Sequence, residues 1–186
     1  MPGGEMMGGQ MPELPDAETR TASDEVNLRP FVEADDEEVT SWFADAGELR
    51  FFAGRRLRWP LDSGQWRSIR LDPSVTAWTA VIGDDPTPVG HVEMVAVSPA
   101  IVRLARYAVS PALRGRGLGR SIMNRIVAMA RADGFGTMTL AVHPQNTTAI
   151  LAYRTFGFDV DEDEGSESGI PDMNTTERLV MSLRLA

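Results

Sequence analysis

Tyr107-Ala108-Val109-Ser110-Pro111-Ala112-Leu113-Arg114-Gly115-Arg116-Gly117-Leu118-Gly119-Arg120 is the stretch on which the fold turns. Ile101–Val109 before it is apolar and β-branched, as a strand is, and Ser110-Pro111 stops it. After it, Ile122, Ile126, Val127 and Ala130 recur at helical spacing, which predicts a helix over Gly117–Ala132. Glycines at alternating positions remove side chains where a backbone must approach a ligand. The helix behind them offers unpaired N–H groups and a positive dipole end, and the nearby arginines add charge. Together these describe a cradle for an anion, with a diphosphate as the natural guest. A tight connection without a ligand is the other reading of such a turn. A dinucleotide fingerprint would need Gly at position 120, which is Arg, and a nucleotide P-loop needs a lysine.

Downstream, Gly134 and Gly136 end the helix, Thr137–Val142 reads as a further strand, and Asn146–Phe156 as a helix stopped by Gly157. Strand, helix and strand of these lengths form a crossover unit. Upstream, Thr76–Ile82, Pro88–Val97 and Ile101–Val109 are strands separated by Asp84-Asp85-Pro86 and Ser98-Pro99, the spacing of an antiparallel meander. Asn27–Val32 reads as a first strand. Asp35-Asp36-Glu37-Glu38 follows as acid at a helix N-terminus, with Val39, Trp42 and Phe43 as its apolar stripe. Asp62-Ser63-Gly64-Gln65-Trp66 looks like a cap opening a second short helix. The tail holds an acidic loop, Asp159 to Glu167, and a last strand, Leu179–Leu185.

The chain has 186 residues, the size of one domain, and residues 26–186 read as that domain. Residues 1–25 are rich in Met, Gly, Pro and acid without periodicity and read as a disordered leader. No apolar run reaches the roughly 18 residues of a membrane span, and no secretory signal is visible, so no membrane is expected and a cytoplasmic location is. The net charge of −9 argues against nucleic acid as a partner. All 18 basic residues are arginine, which fits a GC-rich bacterial coding sequence and removes lysine Schiff-base chemistry. The absence of cysteine removes thiol nucleophiles and thiolate metal sites, and two histidines about fifty residues apart give no metal signature, so no metal is expected.

Arg114, Gly117 and Gly119 match the acetyl-CoA motif of the GNAT superfamily of N-acetyltransferases: Arg or Gln, two residues, Gly, one residue, Gly or Ala. Asn146, Tyr153 seven residues on, and Phe156-Gly157-Phe158 resemble that family's next segment, and order and spacing agree across about 88–158. The resemblance implies an α/β (α+β) fold: a mixed, mostly antiparallel central sheet of six to seven strands, helices on both faces, splayed at the fourth and fifth strands.

It also implies a chemistry. Acetyl-CoA would be the acyl donor, with no metal. Tyr107, Ala108 and Val109 would hydrogen-bond the pantetheine arm through their backbone, as an added strand does. Gly115, Arg116, Gly117, Leu118, Gly119 and Arg120 would present N–H groups to the pyrophosphate beside Arg114, and Asn146 would contact the donor from the next helix. The Val109 N–H would polarise the thioester carbonyl. An amine would attack directly, and Tyr153, a phenol of ordinary acidity near pKa 10, would protonate the departing thiolate. Many relatives carry a Glu on the fourth strand, and Ile101–Val109 has no carboxylate. Glu93 on the preceding strand is then the substitute base, with His91 two residues away on the same face. The other reading of that pair is a solvated edge. His143, before Pro144, reads as a turn residue.

The acceptor would be a primary amine of a small molecule or peptide. The acidic loop favours a cationic amine, whereas Arg50, Arg55, Arg56 and Arg58 favour a carboxylate or phosphate on it. A non-catalytic acetyl-CoA-binding module of the same fold is the alternative. An exposed last strand that could pair between subunits makes a homodimer an expectation.

Overall fold

A computed structural model describes residues 26–161 and 178–185 of the chain. The expected leader, 1–25, and most of the acidic loop, beyond Asp161, lie outside the described residues. Seven strands form one sheet in the order β1-β2-β3-β4-β5-β7-β6. They are β1 Val26–Pro30, β2 Val75–Ile82, β3 Asp85–Ser98, β4 Ile101–Val109, β5 Thr137–Val142, β6 Asp159–Val160 and β7 Leu179–Arg184. The first four pair antiparallel, β4 and β5 pair parallel, and β7 returns antiparallel to β5. The meander and the crossover are both as the sequence predicts.

The helices are α1 Asp36–Ser41, α2 Ala46–Ala53, α3 Ser63–Arg70, α4 Leu118–Ala132 and α5 Thr147–Thr155. They cover both faces because β3 and β4 alternate. Val92, Met94, Val102 and Leu104 point into one apolar cluster with Ile122, Ile126 and Ala130 of α4. Burying each such isoleucine contributes about 1.5–3 kcal/mol. Gly90 lets α4 come this close, since a Cβ there would stand 2.5 Å from the Ile122 Cδ1. The opposite face of the sheet carries a second cluster, in which Phe31, Val39, Trp42, Leu49, Trp66 and Ile69 pack.

Three features differ from the sequence reading. First, Asp35 and Asp36 do not simply decorate a helix end, because both are buried. Asp35 accepts from Arg29 at 2.7 Å, from the Thr79 hydroxyl at 2.7 Å and from the Val32 N–H at 3.1 Å. Asp36 is paired with Arg70. The two aspartates tie β1, β2 and α3 together, while Glu37 and Glu38 are exposed as expected. Second, α2 went unread. Its cap, Asp45, accepts from the Gly47 and Glu48 amides at 2.7 and 2.9 Å, and the helix is too short for a periodic signal. Third, the last strand is not an edge. The two residues of β6 pair with its outer side at Ser182 and Met181, so β1 and β6 bound the sheet. The strand behind the homodimer expectation is thus covered at Met181 and Ser182.

Candidate active site

β4 pairs with β5 only from Ile101–Thr137 to Leu104–Leu140. Beyond that point the strands part, and Ala105–Val109 keep β3 on one side and an open wedge on the other. The parting begins at a β-bulge, where Arg106 and Tyr107 stand opposite the single residue Val92. Arg106 takes a φ of 44°, a left-handed conformation that is costly for a side chain of this kind. The Ser110 N–H donates to the Val89 carbonyl at 3.0 Å on the β3 side. By strand alternation the N–H groups of Val109 and Tyr107 then face the wedge. The Val109 carbonyl faces it too and accepts from the Arg114 Nε at 3.2 Å.

The glycine turn closes the far end of this open edge. Gly115 and Gly117 sit at φ 76° and 81°, conformations that select glycine, and Gly117 caps α4 without any side-chain hydrogen bond. A Cβ on Gly115 would meet nothing within 4 Å, whereas one on Gly119 would lie 3.3 Å from the Tyr107 hydroxyl. The third glycine therefore serves helix–strand packing. Tyr107 donates from that hydroxyl to the Gly119 carbonyl at 2.5 Å, pinning α4 to β4. Leu118 buries its side chain in the core, so only its amide could meet a ligand. Arg114, Arg116 and Arg120 are exposed around the turn.

A cleft of about 1050 Å³ continues from the wedge toward α2 and α3. Asn146 and Tyr153 reach it from α5, where the Asn146 Oδ1 caps the helix by accepting from the Ala149 N–H at 3.2 Å. Tyr153 packs edge-to-face on Phe158 at 5.8 Å. Burial pushes its phenol up to about 12, which corrects the expectation of ordinary acidity. Burial, and secondly the neighbouring Tyr153, drive the Tyr107 phenol higher still. These are the chain's only two tyrosines. Ultraviolet titration is therefore expected to show no tyrosinate in the folded protein at the ordinary value of about 10. Because both values are raised, their contribution to stability is complete below pH 10 and is lost as pH climbs toward 12. Tyrosinate forming near pH 10 before unfolding would contradict the raised phenols of these two half-buried rings.

Glu93 and His91 are together, as their spacing predicts, but they are not a solvated edge. Both are fully buried, and the His91 ring packs against Phe31 at 4.6 Å and Trp66 at 5.2 Å. One Glu93 oxygen is 3.0 Å from the His91 Nε2, and the other is paired with Arg106. Burial alone would raise the Glu93 carboxyl, yet the hydrogen bonds from His91 and Arg106, with their charges, hold it below the usual range. Neither Glu93 nor His91 lines the cleft.

His143 does line it, with Phe51 edge-on at 5.2 Å. Its turn role is also present, because its Nδ1 accepts from the Gln145 N–H at 3.2 Å. The sequence reading overlooked Arg103 and Arg106. Their signal was charge placed between buried Val102 and Leu104 and beyond, which marks the polar face of β4. Among the described residues no group of three or more His, Asp or Glu could hold a metal ion, and no helix is long and apolar enough to cross a membrane.

A splayed mixed sheet with a glycine cradle at the end of its open edge defines the acetyltransferase class of α/β fold. The chain belongs to the acetyltransferase (GNAT) family, whose model matches residues 31–158. It is similar to mycothiol acetyltransferase of Rhodococcus erythropolis, 31% identical over 133 residues, which cover 68% of this chain and 35% of that protein. The mycothiol acetyltransferase of Nocardia farcinica is 33% identical over 81 residues, 44% of this chain and 23% of that one. The chain thus spans about a third or less of these curated relatives. In fold it resembles spermidine N-acetyltransferase of Vibrio cholerae, solved with CoA and spermine. The TM-score is 0.68 at 13% identity, covering 87% of this chain and 96% of that one.

Proposed function

We propose that the chain transfers an acetyl group from acetyl-CoA to a primary amine of a small molecule or peptide by direct attack in a ternary complex. The observation that carries this is the open edge Ala105–Val109, which runs into a glycine turn at a helix N-terminus, with Tyr153 on the facing wall of the same cleft. The residues fit the donor. Open space at Gly115 and the uncapped first turn of α4 suit a pyrophosphate held by the amides of Gly115–Arg120. The wedge-facing N–H and carbonyl groups of Tyr107 and Val109 suit an arm laid along β4, with Ala108 between them and Asn146 opposite. The CoA bound by the Vibrio cholerae relative supports the same reading.

When bound, the thioester supplies an activated acyl group, and the chain's residues orient and polarise it. A wedge-facing N–H of β4, that of Tyr107 or Val109, stabilises the developing oxyanion. Tyr153, kept neutral by burial, donates its proton to the sulfur as the C–S bond breaks. Glu93 is held ionised with both oxygens engaged, so its part is to fix Arg106 and the bulge, with His91 completing the buried pair. The amine loses its proton to water. This last assignment replaces the expectation of Glu93 or His91 as the base.

A thermal shift with acetyl-CoA, followed by CoA-release assays over a panel of amines, tests the reading. Acetyl-CoA should raise the melting temperature where ATP and NAD do not. Protection without turnover of any amine would favour the non-catalytic module. Gly117→Asp introduces a side chain at φ 81° and a negative charge at the anion site. It should weaken acetyl-CoA by about tenfold or more. Unchanged affinity in that variant would remove the pyrophosphate from the turn.

A further inference from the structure

Among the described residues the end of the cleft toward α2 and α3 is rich in arginine. Among the described residues seven arginines and two aspartates line the cavity, in a chain whose net charge is −9; Arg50 and Arg178 have partners of their own. Asp62 is engaged as the cap of α3, and Asp72 is paired with Arg56 at 2.8 Å. On the floor of the cleft Arg106 has its carboxylate in Glu93. Arg103, three residues earlier on β4, has none: its terminal Nη1 is buried and meets no acceptor among the described residues. Burial, and then the nearby charges of Arg106 and Arg178, push its guanidinium below the usual value. A buried donor without an acceptor, set among like charges, is costly unless an anion completes it.

We infer that the acceptor amine carries an oxyanion, a carboxylate or a phosphoryl group, which Arg103 binds on the floor of the cleft beside Arg106. The donor's own phosphates do not answer the need. Val109 is six positions beyond Arg103, roughly 20 Å along β4, and the glycine turn lies beyond that. Guanidinium is suited to the task because its planar fork matches two oxygens at once. The exposed arginines of the cleft mouth would draw an anion inward against the overall negative charge. This inference rests on the acetyltransferase reading and names the substrate class for that site.

The test uses the full chain with acetyl-CoA and acceptors matched except for the acid. Glycine against glycinamide probes a carboxylate, phosphoethanolamine against ethanolamine probes a phosphoryl group, and agmatine serves as a cationic amine. CoA release is read after correction for the neutral fraction of each amine. Calorimetry of the N-acetylated products on CoA-saturated protein reads the same preference where turnover is slow. The acid of at least one pair should be favoured by about tenfold or more. Salt should erode that preference, Arg103→Met should collapse it to within about threefold, and Arg103→Lys should keep part of it. Should Arg103→Met melt without a cooperative transition, Arg103→Lys and the salt dependence decide. Preference for the uncharged member of both pairs or for agmatine, or a ratio untouched by changes at Arg103, overturns the inference. If acetyl-CoA itself fails to protect the chain, the acetyltransferase reading falls and this one with it. If it protects and the acids gain nothing, only the anionic acceptor is lost.

Discussion

Tyr153→Phe is expected to lower kcat by about a hundredfold or more, the range that a positioned general acid contributes. The change removes one hydroxyl from a ring that otherwise keeps its edge-to-face contact with Phe158. Acetyl-CoA should therefore still protect the variant from heat. The pH profile separates a chemical role from a packing one. Burial holds the phenol up at about 12, so Tyr153 is protonated throughout the range in which the enzyme would work. The rise of rate with pH then reports the amine losing its proton, and it should keep its midpoint in the variant while its height falls. A variant with full turnover at every pH would leave Tyr153 as a packing residue only.

The second large effect is on stability. Glu93→Ala should cost about 3–5 kcal/mol, the usual consequence of removing one partner from a buried ion pair. It strands Arg106 and His91, of which His91 is fully buried and Arg106 only slightly exposed. It also releases the left-handed Arg106, which shapes the bulge at which β4 leaves β5. The variant should consequently lose acetyl-CoA affinity as well as melting temperature, and Glu93→Gln, which preserves the shape, should lose less. The sign with pH follows from the depressed carboxyl. Its contribution is complete above the ordinary glutamate value and disappears as pH falls through the lower folded value, so wild type and Glu93→Ala should converge in acid. A gap that persists unchanged in acid would mean that the loss is packing alone.

The glycine turn and the Asn146 cap were legible in the sequence because their requirements are local. A φ near 80° at Gly115 and Gly117 demands glycine wherever the turn is used, and Asn146 caps the helix that follows it in the chain. The period-2 and period-3.6 patterns likewise state which residues face a core, and Ile122, Ile126, Val127 and Ala130 are buried as their spacing predicts. A two-residue strand such as β6 has no period to read, so the true edge of the sheet was misplaced.

The charges behaved differently again. Asp35, Asp36 and Glu93 look like surface residues in the sequence, and only packing of β1, β2, β3 and α3 puts them out of water beside Arg29, Arg70 and Arg106. The same holds at the site. The sequence determined the family and the glycine turn, since both are written in backbone conformation and short-range spacing. The packing of distant segments decided that Glu93 is sequestered, that Tyr153 is harder to ionise than a free phenol, and that the Arg103 Nη1 is buried with no acceptor among the described residues. A carboxyl, a phenol or a guanidinium takes its chemistry from the solvent and charges around it, and those neighbours come from distant parts of the chain.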